Sequence, residues 1–297
     1  MDTMISHLKQ IEVASLCLAL ALGCAAQAAP TPMSNPSSIP PAAPVGMKLV
    51  WADEFDTDGV PDPAKWNFEQ GFARNQEAQW YQSDNATVKG GHLVIEARRE
   101  VKPNPNYQAG SPDWHLNRPF IEYTSASLTT AGKGAWKYGH FALRARIDTG
   151  LGMWPAFWTV GQSGEWPGGG EIDILEFYRG QLLANFVWGT NRRWNGKWNG
   201  KSKAISEFGD PDWSQKFHVW TMDWDENRIV LAVDGLMLNT QDLSQTINGD
   251  AEAKNPFRAP QTMLLNLAIG GQNGGDPSQT RFPARFEIDY VRIYQAQ

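Results

Sequence analysis

Three carboxylates fall within six residues, in the segment EIDILE that begins at Glu171. Side chains of a plain β-strand alternate between its two faces, so Glu171 and Asp173 would share one face. Glu176 would then point to the opposite face. One extra residue near Ile174-Leu175, a β-bulge, would return Glu176 to the side of the other two acids. The spacing therefore predicts a bulged strand that presents three acids on one face.

Crowded carboxylates raise one another's pKa values, which is costly for a scaffold and useful in catalysis. Retaining glycosidases use two carboxyl groups about 5–5.5 Å apart, one as an ionised nucleophile and one as a protonated acid. A third carboxylate between them can hold their pKa values apart. A solvated acidic strand face and a calcium site are the two other interpretations. Catalysis is favoured over both, because acidic residues are poor strand formers and three on one face repel one another.

The segments around these acids are typical of strands separated by short turns. Residues 139–147 (GHFALRARI) alternate apolar and polar side chains with the period of a half-buried strand. Asp234-Gly235 predicts a hairpin between residues 228–233 and 236–238. Amphipathic helices are scarce, so the sequence predicts an all-β sandwich or barrel. Further strands are predicted at residues 92–97, 125–129, 217–224, 262–268 and 286–294.

The charge balance argues against nucleic acid and against an anionic membrane as partners. The 297-residue chain has a net charge of −6 and contains 14 Trp. It lacks the overall basic character of proteins that bind phosphate backbones or anionic lipids. We interpret the basic segment at residues 192–203 as a loop at the rim of a polysaccharide cleft, whose cations could select an anionic glycan. The expected partner is a polysaccharide, and the protein is expected to be a monomer.

The N-terminal part of the chain has the pattern of a targeting segment followed by a linker. An apolar stretch and the small-x-small triplet Ala26-Gln27-Ala28 predict a signal peptide over residues 1–28. Residues 29–47 are rich in Pro, Ser and Ala and predict a linker. Residues 48–297 are expected to form a single catalytic domain. The protein is therefore expected to be secreted or periplasmic.

Both cysteines lie in the predicted signal peptide, at Cys17 and Cys24. The mature chain would have no thiol, which excludes a cysteine nucleophile and thiolate metal sites. Lipid attachment at Cys24 is disfavoured, because Ala21 stands where an aliphatic residue is needed.

The acid segment resembles the E-x-D-x-x-E signature of glycoside hydrolase family 16, in its laminarinase-like (endo-β-1,3-glucanase) branch. The resemblance covers about residues 48–295, with the motifs in the same order. The other matching segments are WADEF (51–55), NQEAQWY (75–81), YGHFALRAR (138–146), GLGMWPAFW (150–158), LLNLAIGG (264–271) and DYVRIY (289–294). His140 and Ala142 stand where the family usually has Arg and Glu. Residues 184–189 carry no histidine, unlike the same strand of many laminarinases.

This resemblance implies a jelly-roll β-sandwich of two curved antiparallel sheets with a concave substrate cleft. It implies endo-acting hydrolysis of a β-linked polysaccharide by double displacement, with Glu171 as nucleophile, Asp173 as supporting acid and Glu176 as acid/base. The expected substrate is a laminarin-type β-1,3-glucan. An endo-β-galactanase of the agarase, carrageenase or mucin-glycan type is the alternative. A non-catalytic carbohydrate-binding protein and a transglycosylase are further alternatives.

Aromatic and polar residues near the acids are candidates for sugar contact. Trp154 and Trp158 alternate onto one face of the preceding strand, and indole rings pack against the apolar faces of sugars. For Trp188, one strand later, the sequence favours a position in the cleft and a position in the core equally. The remaining candidates for sugar contact are Arg144, Asn75 and Trp194.

No cofactor is predicted to be required for catalysis. Some family members hold a structural calcium ion on the convex face, and the resemblance implies such a site at Asp289, with main-chain carbonyls near Gly91.

Overall fold

The computed structural model describes residues 43–297, most of which lie in β-strands. The predicted signal peptide and residues 29–42 of the predicted linker lie outside this range. The first strand begins at Met47, one residue before the predicted start of the domain. No helix among the described residues is long and apolar enough to cross a membrane.

Within residues 43–297 the chain forms seventeen strands, one short α-helix and five 3-10 helices. The strands are β1 (Met47–Asp53), β2 (Asn67–Phe68), β3 (Gln79–Tyr81), β4 (Ala86–Lys89), β5 (His92–Pro103), β6 (Phe120–Ser125), β7 (Ser127–Thr129), β8 (Gly139–Ile147), β9 (Met153–Gly161), β10 (Glu171–Tyr178), β11 (Gln181–Gly189), β12 (Gly196–Ala204), β13 (His218–Trp224), β14 (Arg228–Val233), β15 (Leu236–Asp242), β16 (Gln261–Ile269) and β17 (Ala284–Ala296). The α-helix is α1 (Gly271–Gly274), and the 3-10 helices are Ser83–Asn85, Ile205–Phe208, Trp213–Gln215, Leu243–Gln245 and Pro256–Arg258.

Two sheets pack face to face and enclose the core. The larger sheet has the order β15-β14-β13-β8-β17-β5-β6-β3, with β1 also paired to β17 and β4 to β5. The smaller sheet has the order β12-β11-β10-β9-β16-β7-β2. Strand pairs are antiparallel throughout the described chain apart from β3 and β6. The predicted all-β sandwich is therefore confirmed.

The core lies between the two sheets and is built by alternation along each strand. In β8, Phe141, Leu143 and Ala145 are fully buried, while Arg144 and Arg146 point away from the core. β8 begins and ends where the sequence predicts. Burial of apolar surface of this kind is the main stabilising contribution, at about 25 cal/mol per Å² removed from water.

The predicted Asp-Gly hairpin is present between β14 and β15. Val233 pairs with Leu236, so Asp234 and Gly235 form a two-residue loop. Both loop residues have positive φ, +49° and +78°. Tight hairpin turns that follow the twist of the strands require this conformation, which Gly adopts freely and Asp adopts more readily than most residues.

Two predicted segments differ from the structure. Residues 125–129, predicted as one strand, belong to two strands in different sheets, because the chain crosses the sandwich at the buried Ala126. The segment 192–203, predicted as a loop, is a strand over most of its length. This strand, β12, is the edge of the smaller sheet, where lysine side chains guard against pairing with other chains.

Candidate active site

The three acids of β10 lie on the outer face of the smaller sheet because the strand contains the predicted bulge. Asp173 pairs with Asn185 of β11, but Glu176 pairs with Leu183, so three steps along β10 oppose two along β11. Against β9, the register also shifts between Asp173 and Leu175. Ile174 and Leu175 are both fully buried in the core. The bulge is thus confirmed, and it turns Glu176 outward beside the other acids.

Each acid accepts a hydrogen bond from a neighbouring side chain. The Trp166 indole N–H donates to Oε2 of Glu171 at 3.2 Å. The Asn185 amide donates to Oδ2 of Asp173 at 3.0 Å and to Oε2 of Glu176 at 2.8 Å. The Trp154 indole N–H donates to Oε1 of Glu176 at 2.8 Å. We call this outer surface, defined by the three acids with Trp154, Trp158, Trp166 and Asn185, the active face.

Burial controls the protonation of the acids. It is the largest cause that raises the pKa of Asp173 to about 7, against a hydrogen bond from Asn185. Burial and then the charge of Asp173 raise the pKa of Glu176 to about 8. Burial followed by the charges of Asp173 and Glu176 raises the pKa of Glu171 well above its ordinary value. The cluster therefore retains protons at neutral pH, as a site that needs one protonated carboxyl requires.

The variant Asp173→Asn is expected to be more stable than the wild-type protein at pH 8, by on the order of 2 kcal/mol. The native pKa of Asp173 lies above its ordinary value of 3.8. The native state therefore binds more protons than the unfolded state between about pH 4 and pH 7, and its stability falls as the pH rises through this window. An asparagine side chain does not ionise, so the variant does not lose stability over this window. Chemical denaturation at pH 4 and pH 8 measures the free energy of unfolding of both proteins. An equal difference between them at both pH values would contradict the raised pKa.

Two of the tryptophans predicted to bind sugar are brought to the acids. Trp154 is almost fully buried and bonds Glu176, as described. Trp158 is partly exposed, and its indole N–H donates to Oδ1 of Asn266 at 2.7 Å. Trp158 pairs with Asp173 across β9 and β10, so the ring lies beside the acid cluster.

Asn75 lies in the segment that leads into β3 and contacts the end of β16, where the Ala78 N–H donates to the Ile269 carbonyl at 2.8 Å. Its φ is +54°, and its amide donates to Oε1 of Glu77 at 3.2 Å. Glu77 is 2% exposed and also accepts from Gln79 at 2.6 Å and from the Tyr81 hydroxyl at 3.3 Å. Burial raises the pKa of Glu77. The exposed Asn75 thus sits on a buried polar network next to the acids.

Comparison with known proteins identifies the chain. The family model for glycosyl hydrolases family 16 matches residues 72–292. The chain belongs to this family. It is a glycoside hydrolase, as the acid segment predicts, and the family fits the geometry of β10.

Relatives of this family 16 hydrolase support the laminarinase-like resemblance. A beta-glucanase from Rhodothermus marinus is 36% identical over 268 residues, covering 84% of this chain and 85% of the relative. The laminarinase catalytic domain from Thermotoga maritima aligns with a TM-score of 0.72 and 34% identity, over 84% of this chain and 99% of that one. A structure from work on endo-acting O-glycanases, which prominent members of the human gut microbiota express to initiate mucin breakdown, aligns with a TM-score of 0.79 and 34% identity, over 87% and 94%. The jelly-roll fold is confirmed.

Trp188 does not belong to the active face of the hydrolase. Its side chain is 3% exposed and lies in the core, with its ring centroid 6.4 Å from that of Phe257. In β11, Asn185 and Val187 pair with Asp173 and Glu171, so the alternate Trp188 points inward. The residue of β11 that reaches the acids is Asn185, which the sequence analysis missed.

Trp188→Ala is expected to lower the free energy of unfolding by about 3–5 kcal/mol, because it empties a large core position. Trp194→Ala is the matched control, since Trp194 is 57% exposed. Its stability should stay within about 0.5 kcal/mol of the wild-type value. Urea denaturation measures both; a Trp188 variant as stable as the control would contradict the core position.

Arg144 and Asp289 lie on the outer face of the larger sheet, away from the acids. Nη1 of Arg144 donates to Oδ2 of Asp289 at 2.5 Å, and the guanidinium carbon lies 4.8 Å from the ring centroid of Phe217. Arg144 was therefore wrongly predicted as a cleft residue. Alternation placed it on a polar face, but of the other sheet.

Asp289, the candidate calcium ligand, is contacted by two other side chains, and the calcium site with carbonyls near Gly91 stays a prediction. The Arg144 guanidinium already supplies the positive charge on one carboxylate oxygen, and Nε2 of His92 lies 3.7 Å from the other. Within residues 43–297 no three His, Cys, Asp or Glu side chains are grouped to hold a metal.

Trp194 lies on a loop next to the active face. This loop lines a surface cavity of about 1110 Å³ together with Trp166, Arg192 and residues 252–256. Arg193 stacks over the Trp194 ring at 5.1 Å and pairs with Glu165 at 2.6 Å. Because Trp166 also bonds Glu171, the cavity continues the surface that surrounds the acids. The sequence analysis missed Trp166, although it precedes the acid strand by only five residues.

Proposed function

We propose that this hydrolase is an endo-acting β-1,3-glucanase that retains the anomeric configuration through a double displacement. One observation carries the proposal: a bulged strand turns Glu171, Asp173 and Glu176 to one face, and Asn185 bonds the last two. Separate donors fix the outer acids, Trp166 on Glu171 and Trp154 on Glu176. Glu171 has to be ionised to attack: a proton held on Glu176 removes one of the charges that raise the pKa of Glu171, and the nearby Arg74 lowers this pKa.

In the first step Glu171 attacks the anomeric carbon and forms a glycosyl ester, while the glycosidic C–O bond breaks. Glu176 gives its proton to the departing oxygen. The raised pKa of Glu176, about 8, supports this role because the carboxyl is protonated at neutral pH. In the second step Glu176 accepts a proton from water, the water oxygen attacks the anomeric carbon, and Glu171 leaves. Asp173 assists through its charge and through Asn185.

The sugar-binding residues of the proposal are Trp154, Trp158, Asn75 and Trp194. The first two flank the acids on β9: the partly exposed Trp158 can pack one ring face against a sugar, and the almost fully buried Trp154 lines the site through its bond to Glu176. Asn75 would donate to sugar hydroxyls from the rim. The substrate itself is inferred from relatives named beta-glucanase and laminarinase.

The proposal includes export from the cytoplasm through the predicted signal peptide of residues 1–28, and a monomeric enzyme that needs no metal for catalysis. Fractionation of producing cells and mass spectrometry of the mature N-terminus test the first point. Gel filtration and activity after chelation test the others.

A reducing-sugar assay on a glycan panel tests the function. The panel contains laminarin, mixed-linkage β-glucan, agarose, carrageenan and mucin O-glycans, and product size distinguishes endo from exo cleavage. We expect cleavage of laminarin into short oligosaccharides, with the β-anomer as first product by NMR. Cleavage of a galactose-based glycan alone would reject the β-1,3-glucan assignment. Binding without cleavage of any glycan would favour a carbohydrate-binding protein.

A further inference from the structure

Arg74 lies beside the acid cluster and has no role in the double displacement. Its guanidinium carbon lies 5.1 Å from the ring centroid of Trp158 and 6.0 Å from that of Tyr81. Both carboxylate oxygens of Glu69 accept hydrogen bonds from its Nη2 atom. Ser127 in turn donates to Glu69 at 2.6 Å. The guanidinium is thus held by a fixed anion on one side and by an indole ring on the other.

The position of Trp158 brings this cation to the active face. Trp158 pairs with Asp173 across the two central strands, and its N–H is fixed by Asn266. Asn266 donates to the Tyr81 hydroxyl at 3.1 Å, which connects the ring to the network around Glu77. The edge of the indole is therefore fixed by a hydrogen bond, and one of its two faces is covered by Arg74.

We propose that Arg74 is a positioning residue of this hydrolase: its guanidinium fixes the plane of Trp158 and places one positive charge beside the acids of β10. The proposal rests on the proposed role of those acids. It assigns two separable tasks to one side chain, since the planar stack needs a guanidinium and the charge needs only a cation.

The charges around Arg74 and around Glu171 support this assignment. Arg74 faces Glu69, Glu77 and Tyr81 from its own segment. Burial would lower the pKa of Arg74, but these neighbours outweigh it and hold the pKa above its ordinary value, so the charge persists at every working pH.

Glu171 faces Asp173 and Glu176 on its own strand, the Trp166 N–H from the preceding loop, and Arg74 from the covering segment. Burial, Asp173 and Glu176 all raise the pKa of Glu171, whereas Arg74 lowers it. Arg74 therefore opposes the mutual repulsion of the acids.

The ion pair with Glu69 does not account for all of Arg74. Its Nη1 atom is buried without a hydrogen-bond partner in the described part of the chain. An unpaired buried donor on a charged group costs free energy. The ion pair with Glu69 therefore leaves part of the guanidinium without a polar partner, and the group is also held by its stack on Trp158.

Opposite changes at the two ends of the ion pair test the proposal. Arg74→Met removes the cation, so the acidic limb of the plot of kcat/KM against pH should move to higher pH, by about half a pH unit or more. Glu69→Gln leaves the cation less neutralised, so this limb should move to lower pH. Arg74→Lys keeps the charge and loses the planar stack; we expect a wild-type acidic limb with a raised KM.

Two controls separate these effects from misfolding. The double variant Arg74→Met with Glu69→Gln leaves no unpaired carboxylate, so it should recover thermal stability and keep part of the upward shift. Arg99→Met removes an arginine stacked on Tyr123 of β6 and on Phe282, which precedes β17, and should leave the profile unchanged. Shifts of Arg74→Met and Glu69→Gln in the same direction, or no shift in either, would overturn the proposal.

A second measurement keeps this test independent of the substrate. Carboxyl ¹³C NMR titration of the wild-type protein and the same variants follows the acids without any glycan. We expect the cluster to titrate at higher pH in Arg74→Met and at lower pH in Glu69→Gln. If the wild-type protein cleaves no glycan of the panel, the proposed function fails, while the titration still decides the role of Arg74.

Discussion

Replacing Glu171 with Gln is expected to lower kcat by at least about 10⁴-fold while glycan binding survives. The amide cannot form the glycosyl ester, so the first step of the double displacement is lost. Its side-chain oxygen can still accept from the Trp166 indole N–H, as Oε2 of Glu171 does in the wild-type protein. Steady-state kinetics on the cleaved glycan, together with calorimetric titration of an oligosaccharide, measures the two quantities separately.

The matched control for this change is Glu226→Gln, the same substitution at an exposed turn between β13 and β14. It should retain the wild-type rate. If Glu171→Gln kept more than a tenth of the wild-type kcat, another residue would have to be the nucleophile. Loss of oligosaccharide binding in the variant would show that the change disrupts the active face as well as the chemistry.

Glu176→Gln is expected to lower kcat on polysaccharide by about 10²–10⁴-fold, the usual contribution of a general acid and base. A glycoside with an activated aryl leaving group should be affected much less in its first step, because the departing oxygen needs no proton. The alkaline limb of the wild-type profile should lie near pH 8, where Glu176 loses its proton, and should disappear in the variant. Pre-steady-state kinetics with the aryl glycoside measures the first step alone.

Azide provides the control for the second step of this variant. As a small nucleophile that needs no general base, it should restore turnover and yield a β-glycosyl azide. An α-glycosyl azide would contradict the retaining mechanism. Equal losses on polysaccharide and on the aryl glycoside would remove Glu176 from the role of proton donor.

The arrangement of β10 was predictable because its pattern is unambiguous. Two isoleucines between three acids admit one assignment of faces, and only an added residue reconciles Glu176 with it. In β11, by contrast, residues 182–188 are apolar on both faces except at Asn185. Alternation could not decide there whether Trp188 or its neighbours face the sugar, because a strand buried on one side and lined by apolar groups on the other has no polar period.

Contacts between distant segments could not be predicted from the sequence, for a different reason. Arg144 was correctly placed on a polar strand face, but only the order of strands reveals that this face belongs to the larger sheet. Trp166 bonds Glu171 and Arg74 stacks on Trp158 from connecting segments, whose course depends on packing rather than on periodicity. The sequence therefore predicts the catalytic strand and misses most of the residues that position it.

The bulge in β10 also affects how this strand tolerates changes in length. Removing one of the two buried residues, Ile174 or Leu175, would leave a strand of plain alternation in which all three acids still point outward and Phe177 still points inward. Deleting one codon at this position therefore preserves the division between solvent and core along the whole strand. A chain shorter by this one residue would keep all three acids together on the active face.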